Sequence, residues 1–178
     1  MDASRDGLLR AAVLVPLFRK DGKPWVLLTR RSQNLPNHAG QVAFPGGRFD
    51  PNLDSSLLET ALREAREEIA LPASRVAVMG ALPDVETLSS RFVITPFVAR
   101  VPEDHPYRPC DREVAEIFSM PLSLYWDPAH RDELEWHHEG QKVRTPALRY
   151  GHRLIWGATL RVLDLLVRSP LLDRALRP

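Results

Sequence analysis

Cysteine is almost absent from this sequence: Cys110 is the only one in 178 residues. A disulfide within the chain is therefore impossible, and a zinc site built on thiolates would lack ligands, because the remaining donors are scattered histidines. Chains without disulfides are typical of reducing compartments. We therefore expect a cytoplasmic protein.

Long apolar runs are also absent. The N-terminal run that ends at Phe18 contains Pro16 and falls far short of the roughly 20 residues of a membrane span. Acidic residues near the N-terminus and the lack of a small-residue cleavage site disfavour a signal peptide. The formal net charge is only +1, so no overall field attracts nucleic acid or an anionic membrane. The expected partner is a small molecule.

The composition is otherwise that of an ordinary globular protein. Hydrophobic residues make up 44% and charged residues 26%, which disfavours disorder. The length suits one domain over residues 1–178. Sixteen prolines favour short elements joined by ordered loops.

Apolar periodicity predicts an α/β fold. Runs at residues 11–18 and 25–29 flank Asp21-Gly22, which predicts a hairpin. Further strands are expected at residues 42–44, 76–82, 92–101 and 114–120, and residues 134–138 are expected to pair with 142–150. Helices are predicted from Ser56 to Ala70 and from about Arg153 to Arg168. This order predicts an α/β/α sandwich with a mixed sheet between the helices.

The first helix carries three carboxylates on one flank. Ser56 and Glu59 have the spacing of a capping box. Glu64, Glu67 and Glu68 then follow at positions i, i+3 and i+4, beside the apolar stripe. Two interpretations stand: a solvated acidic face, or a site for a hard cation such as Mg²⁺ or Mn²⁺, which prefers oxygen ligands.

The neighbourhood of the helix decides between them. Upstream lie Gly46 and Gly47, which allow a close approach of other groups to the backbone. With the helix, the stretch from Gly47 to Leu71 resembles the Nudix box, whose core is Arg-Glu-x-x-Glu-Glu. Two departures occur: Ala70 replaces the last glycine, and a loop two residues longer puts Ser55 where the first glutamate is expected.

Within the Nudix family, the sequence most resembles the coenzyme A pyrophosphatases. The resemblance rests on Leu27 to Ser32, on Gly40 to Gly47 and on the longer loop itself. It covers roughly residues 13–166. Pro36 departs from it, because that subfamily normally has an arginine at this position.

This resemblance implies a Nudix-like sandwich and metal-dependent cleavage of coenzyme A to 4′-phosphopantetheine and adenosine 3′,5′-bisphosphate. The expected cofactor is Mg²⁺ or Mn²⁺, which neutralises pyrophosphate charge and activates water. The ligands expected for it are Glu64, Glu67, Glu68 and the Gly47 carbonyl. Glu64 is the candidate general base on the helix. Alternatives from a distal segment are Glu113 and Glu116.

Candidates for holding substrate phosphates are Arg30, Arg31 and His38, since arginine binds phosphate through its planar fork. For each of these residues a plain surface charge is the alternative. Arg63 is expected to orient a carboxylate or to tie down the loop.

Two rival functions remain open. One is hydrolysis of another nucleoside diphosphate, such as ADP-ribose or NADH. The other is a module that binds coenzyme A or a nucleotide without hydrolysing it. The sequence leaves open whether the protein is a monomer or a homodimer.

Overall fold

The fold is taken from a computed structural model that describes residues 7–87, 91–138 and 140–176. The strands are β1 (Leu9–Lys20), β2 (Lys23–Arg31), β3 (Val42–Ala43), β4 (Gly46–Arg48), β5 (Ala77–Ala81), β6 (Val85–Glu86), β7 (Phe92–Arg100), β8 (Val114–Pro121), β9 (Arg131–His138), β10 (Gln141–Tyr150) and β11 (Arg153–Trp156). The helices are α1 (Leu57–Ile69), α2 (Gly157–Val167) and α3 (Pro170–Leu176), with 3₁₀ turns at Ala73–Arg75, Leu122–Tyr125 and Pro128–His130.

Eight of these strands form one mixed sheet, with β1 near its centre. The strand order is β3-β2-β1-β7-β5, while β4 pairs with β1, β6 with β7 and β8 with β2. The pairing of β1 with β7 is parallel, and the other pairings are antiparallel. A second sheet contains β9, β10 and β11.

The predicted hairpin at Asp21-Gly22 is confirmed. Lys20 pairs with Lys23, so the loop has two residues. Both Asp21 and Gly22 have positive φ values, 49° and 74°. That is the backbone of a type I′ turn, whose twist matches that of the flanking strands.

The large sheet lies between helices, as the sequence predicts. The side chains of β1 alternate: Ala12 and Leu14 join the core under α1, while Val15 and Leu17 join the core under α2. This alternation is the period of a strand that is buried on both faces. The α/β/α sandwich is thereby confirmed, and its two cores are separated by one layer of backbone.

The first helix has the predicted ends. The Ser56 side chain accepts a hydrogen bond from the Glu59 backbone N–H at 3.2 Å. The Glu59 carboxylate reaches back to Ser55 rather than to Ser56 itself. The C-cap is Ala70, which has left-handed dihedral angles (φ 56°, ψ 31°).

The predicted start of the second long helix is wrong. Residues 153–156 form strand β11, which pairs with β10, and the helix begins only at Gly157. Leu154, Ile155 and Trp156 fit the apolar pattern of a strand or of a helix, so periodicity cannot separate the two. Gly157 has a φ of 60°, which interrupts a right-handed helix at that residue.

The predicted hairpin after Leu134 is confirmed as β9 and β10, although Glu139 in its turn lies outside the described residues. Within the described ranges, no helix has both the length and the apolarity needed to cross a bilayer.

Candidate active site

Three carboxylates meet at the surface of the sandwich. Glu64 and Glu68 lie one turn apart on α1, and Glu113 comes from the loop before β8. Oxygen atoms from the three side chains all lie within 4.8 Å of one another. The helical period brings the first two together, whereas only the tertiary fold adds Glu113.

Glu67 lies outside this group. Its side chain is half exposed and accepts a hydrogen bond from Arg63 Nη1 at 3.3 Å. Glu64, Glu67 and Glu68 therefore do not form the cluster as a trio. Glu113 takes the third place instead.

Burial raises the pKa of two carboxyl groups in the cluster, those of Glu68 and Glu64. Glu68 is only 3% exposed, and burial raises its pKa to about 8, although a hydrogen bond from the Gly46 N–H at 3.2 Å opposes the shift. Burial also raises the pKa of Glu64, against the effect of Arg63. Three neighbouring carboxylates, of which Glu68 is deeply buried, are suitable ligands for a hard divalent cation. Such a cation would stabilise the ionised form of each carboxylate.

The two glycines are required by space. A Cβ atom on Gly46 would lie 2.3 Å from the Ala12 carbonyl oxygen, and one on Gly47 would lie 2.6 Å from the carboxyl carbon of Glu64. Neither glycine is among the residues with positive φ. Their small size is therefore what lets β4 pair with β1 while α1 packs over it.

Arg63 holds the carboxylates of Asp54 and Glu64 in place through hydrogen bonds. It donates to both oxygens of Asp54, at 2.8 and 3.0 Å, and to Glu64 at 2.7 Å. Thr60 also donates to Asp54, and the Arg63 hydrogen bond holds the pKa of Asp54 at about 2. Arg63 thus both orients a carboxylate and ties the loop, as the sequence predicts.

Sequence reasoning missed Asp54. The resemblance to the Nudix box puts Ser55 where the first glutamate is expected, and Asp54 directly precedes it. The signal that could have found it is the need of an arginine beside the apolar stripe of the helix, Arg63, for an acidic partner from the preceding loop.

The loop that carries Glu113 is fastened to the end of α1. The backbone N–H of Arg108 donates to the Ile69 carbonyl at 3.2 Å, and that of Cys110 to the Glu68 carbonyl at 2.9 Å. On the other side, the Ser32 N–H donates to the Glu113 carbonyl at 2.8 Å. The third carboxylate is therefore positioned by backbone contacts with α1 and with the end of β2.

A cavity of about 460 Å³ opens beside the cluster. Its walls are mostly apolar and include Trp136 and Trp156, whose ring centroids are 5.8 Å apart. Arg31 also lines it, and Arg31 Nη1 lies 3.9 Å from Glu68. The Arg31 Nε is buried with no hydrogen-bond partner among the described residues.

Arg30 and Glu116 lie together and are not members of the cluster. Their strands pair at this position, and Arg30 Nε donates to Glu116 at 3.1 Å. Arg153 donates to the other oxygen of Glu116, and His152 lies 3.4 Å from the carboxylate. The Arg153 hydrogen bond, with those from Arg30 and His152, holds the pKa of Glu116 at about 2.

The last candidate, His38, lines the large cavity from an exposed loop between β2 and β3. Its Nδ1 lies 3.0 Å from the side-chain oxygen of Gln41. Pro36, the departure from the subfamily pattern, is exposed in the same loop. The structure therefore brings Arg31 and His38 to the cavity beside the cluster and places Arg30 elsewhere.

Comparison with known proteins agrees with this geometry. A profile of the NUDIX domain matches residues 8–139. The uncharacterized Nudix hydrolase NudL of Yersinia pestis (strain Pestoides F) is 45% identical over 154 residues, which are 86% of this chain and 76% of NudL. The NudL of Yersinia pseudotuberculosis serotype O:1b (strain IP 31758) matches equally.

Solved structures share the fold. A MutT/nudix family protein from Enterococcus faecalis has a TM-score of 0.66 at 17% identity, covering 99% of this chain and 70% of its own. A NUDIX hydrolase from Alicyclobacillus acidocaldarius has a TM-score of 0.62 at 19% identity, covering 98% and 97%.

Proposed function

Because this chain belongs to the Nudix hydrolase family and acts as a hydrolase of pyrophosphate substrates, we propose that its substrate is coenzyme A or a derivative. The products are then 4′-phosphopantetheine and adenosine 3′,5′-bisphosphate. We further propose that it works as a single domain in the cytoplasm, as a monomer or homodimer.

One observation carries the choice of substrate. The segment that resembles the coenzyme A pyrophosphatases, from Leu27 to Gly47, supplies the wall shared by the carboxylate cluster and the large cavity. Arg31, Gly46 and Gly47 lie where cluster and cavity meet. A pyrophosphate held there would extend its organic groups along the apolar wall, which suits the adenosine or the pantetheine arm.

The cluster would hold Mg²⁺ or Mn²⁺ through Glu64, Glu68 and Glu113. The Gly47 carbonyl and Glu67 are proposed as further ligands. A divalent cation bound there supplies neutralisation of pyrophosphate charge and a lowered pKa for attacking water.

Glu64 is our choice of general base. It belongs to the cluster that would hold the cation, and Arg63 orients its Oε1 through a hydrogen bond of 2.7 Å. A water activated by that cation would therefore lie within hydrogen-bond reach of the Glu64 carboxylate. Glu116 is a poorer base, because hydrogen bonds from two arginines and from His152 lower the pKa of its carboxylate.

Arg31 is our choice for the phosphate contact. Its guanidinium lines the cavity, lies beside Glu68 and retains a buried N–H with no partner among the described residues. A phosphate oxygen would satisfy that donor through a charge-assisted hydrogen bond. His38 is proposed to contact the substrate from the loop between β2 and β3.

The direct test is product analysis with coenzyme A and Mg²⁺ or Mn²⁺, beside Glu68→Gln. We expect metal-dependent formation of both products, and a loss of roughly 100-fold or more in kcat for the variant. The matched control is Glu59→Gln, the same substitution on the same helix at the capping end, which should retain most of the activity.

Other results would redirect the assignment. Turnover of ADP-ribose or NADH without cleavage of coenzyme A would contradict the substrate and would point first to Pro36. Binding of coenzyme A with no hydrolysis of any pyrophosphate would support the non-hydrolytic module.

A further inference from the structure

A second cavity, of about 360 Å³, adjoins the first and is lined by basic and amide side chains. We propose that it is a subsite for a phosphate monoester, held by Arg30, Arg153 and His152. If the substrate is coenzyme A, as proposed above, the group bound there is the 3′-phosphate of its adenosine. This inference therefore deepens that proposal and depends on it for the name of the ligand.

The basic side chains come from different parts of the chain. Arg30 lies near the end of β2. His152 lies in the turn between β10 and β11, and Arg153 is the first residue of β11. The Arg153 guanidinium stacks on Phe118, 4.3 Å from the ring centroid. This stacking holds the side chain in place without using its hydrogen-bond donors.

Several donors of the two arginines remain available. Arg30 uses only its Nε, toward Glu116, so that its two terminal nitrogens have no hydrogen-bond partner in the described part of the chain. The Nε of Arg153 is buried and likewise has no partner there. Arginine N–H groups arranged side by side match the oxygens of a phosphate.

Glu116 keeps the two arginines together. Its two oxygens bind one arginine each, which offsets the repulsion between the guanidinium groups. Two arginines against one carboxylate leave an excess positive charge. The cavity therefore attracts an anion rather than a cation.

The subsite is close to the proposed catalytic centre. Gln41, Val42 and Trp156 line both cavities. Arg30 and Arg31 are consecutive residues, with Cα atoms about 3.8 Å apart, yet Arg31 faces the cluster and Arg30 the second cavity. One ligand could therefore occupy both sites. The 5′-pyrophosphate and the 3′-phosphate of coenzyme A are attached to the same ribose, so they are close enough to reach the cluster and the second cavity together.

The test compares coenzyme A with 3′-dephospho-coenzyme A. We expect the wild-type protein to prefer coenzyme A in kcat/KM by roughly 10- to 100-fold, the value of a hydrogen bond to a charged group. In Arg153→Gln and in Arg30→Gln this ratio should fall toward one, through a higher KM for coenzyme A. Arg144→Gln, an exposed arginine of β10, should keep the wild-type ratio.

A binding measurement on the wild-type protein tests the same inference without relying on variants that could misfold. Titration of wild-type protein with adenosine 3′,5′-bisphosphate and with AMP should show tighter binding of the bisphosphate by a similar factor. Arg153→Lys, which keeps the charge but not the planar fork, should lie between wild type and Arg153→Gln.

Two outcomes overturn the inference: a wild-type ratio near one, or folded arginine variants that keep the wild-type ratio. Failure of the coenzyme A proposal is a distinct result, recognised when wild type cleaves NADH and not coenzyme A. The substrates compared are then NADPH and NADH. A preference of the wild type for NADPH that is lost in Arg153→Gln would still support a phosphate subsite.

Discussion

Asp54 and Arg63 form the most enclosed ion pair near the cluster. The Asp54 side chain is 1% exposed and that of Arg63 is 16% exposed. Both Asp54 oxygens accept hydrogen bonds from the guanidinium, and Thr60 adds another. The pair connects the loop before α1 to the residue that orients Glu64.

Asp54→Asn should lower the free energy of unfolding by about 2–3 kcal/mol, because it removes the most buried anionic partner of the largely buried Arg63 guanidinium. Urea denaturation followed by circular dichroism measures this change. The exposed Glu133→Gln is a suitable control and should stay within about 0.5 kcal/mol of wild type. A value for Asp54→Asn as small as the control's would contradict a stabilising role for the pair.

Residues of the candidate site differ in how far the sequence predicts them. Glu64 and Glu68 follow from the helical period, which needs no tertiary knowledge. Glu113 could be named only as an alternative, since its approach depends on a loop fastened to the end of α1. Arg153 could not be placed at all, because its partner Glu116 is 37 positions away.

At the scale of elements, the residue that caps the C-terminal end of α1 has a conformation that an L-residue tolerates poorly. Ala70 has a left-handed backbone, in which the Cβ of an L-residue crowds the following carbonyl oxygen. Glycine is the usual residue at this position of a helix end.

Ala70→Gly should therefore raise the free energy of unfolding by about 0.5–1 kcal/mol, once the greater entropy of glycine in the unfolded chain is included. Thermal unfolding measures the effect. Ala73→Gly, at a nearby residue without positive φ, should instead destabilise the protein. Destabilisation of equal size in both variants would exclude relief of strain at Ala70.

The elements themselves were largely predictable. The hairpin at Asp21-Gly22 and the start of α1 follow from local chemistry, namely turn residues and the capping side chain of Ser56. Residues 153–156 were not, because the three apolar residues from Leu154 to Trp156 fit either regular structure. Their pairing with β10 decides the matter, and this pairing requires the tertiary fold.

For the whole molecule, the buried Glu68 links stability to pH. Its folded pKa of about 8 lies above the ordinary glutamate value of 4.5, so between these values the folded protein keeps a proton that the unfolded chain has lost. Raising the pH removes that proton at a cost to the folded state only. The metal-free protein should therefore lose stability as the pH rises from about 5 to 8.

Thermal unfolding in the presence of a chelator tests this trend. Glu68→Gln should flatten the decline, while Glu133→Gln should keep it. Addition of Mg²⁺ should raise the Tm more at pH 8 than at pH 6, since the cation binds the ionised carboxylates. An equal decline in Glu68→Gln and wild type would show that another group is responsible.

The parallel pairing of β1 with β7 also affects how the chain folds. Leu9 pairs with Phe92, 83 positions later, and such distant pairings slow folding because a long loop must close first. During synthesis at roughly 5–20 residues per second, the central strand waits several seconds for this neighbour. In that interval the β1–β2 hairpin exposes a strand edge on which two nascent chains could pair, so translation speed and chaperones should influence the yield of native protein.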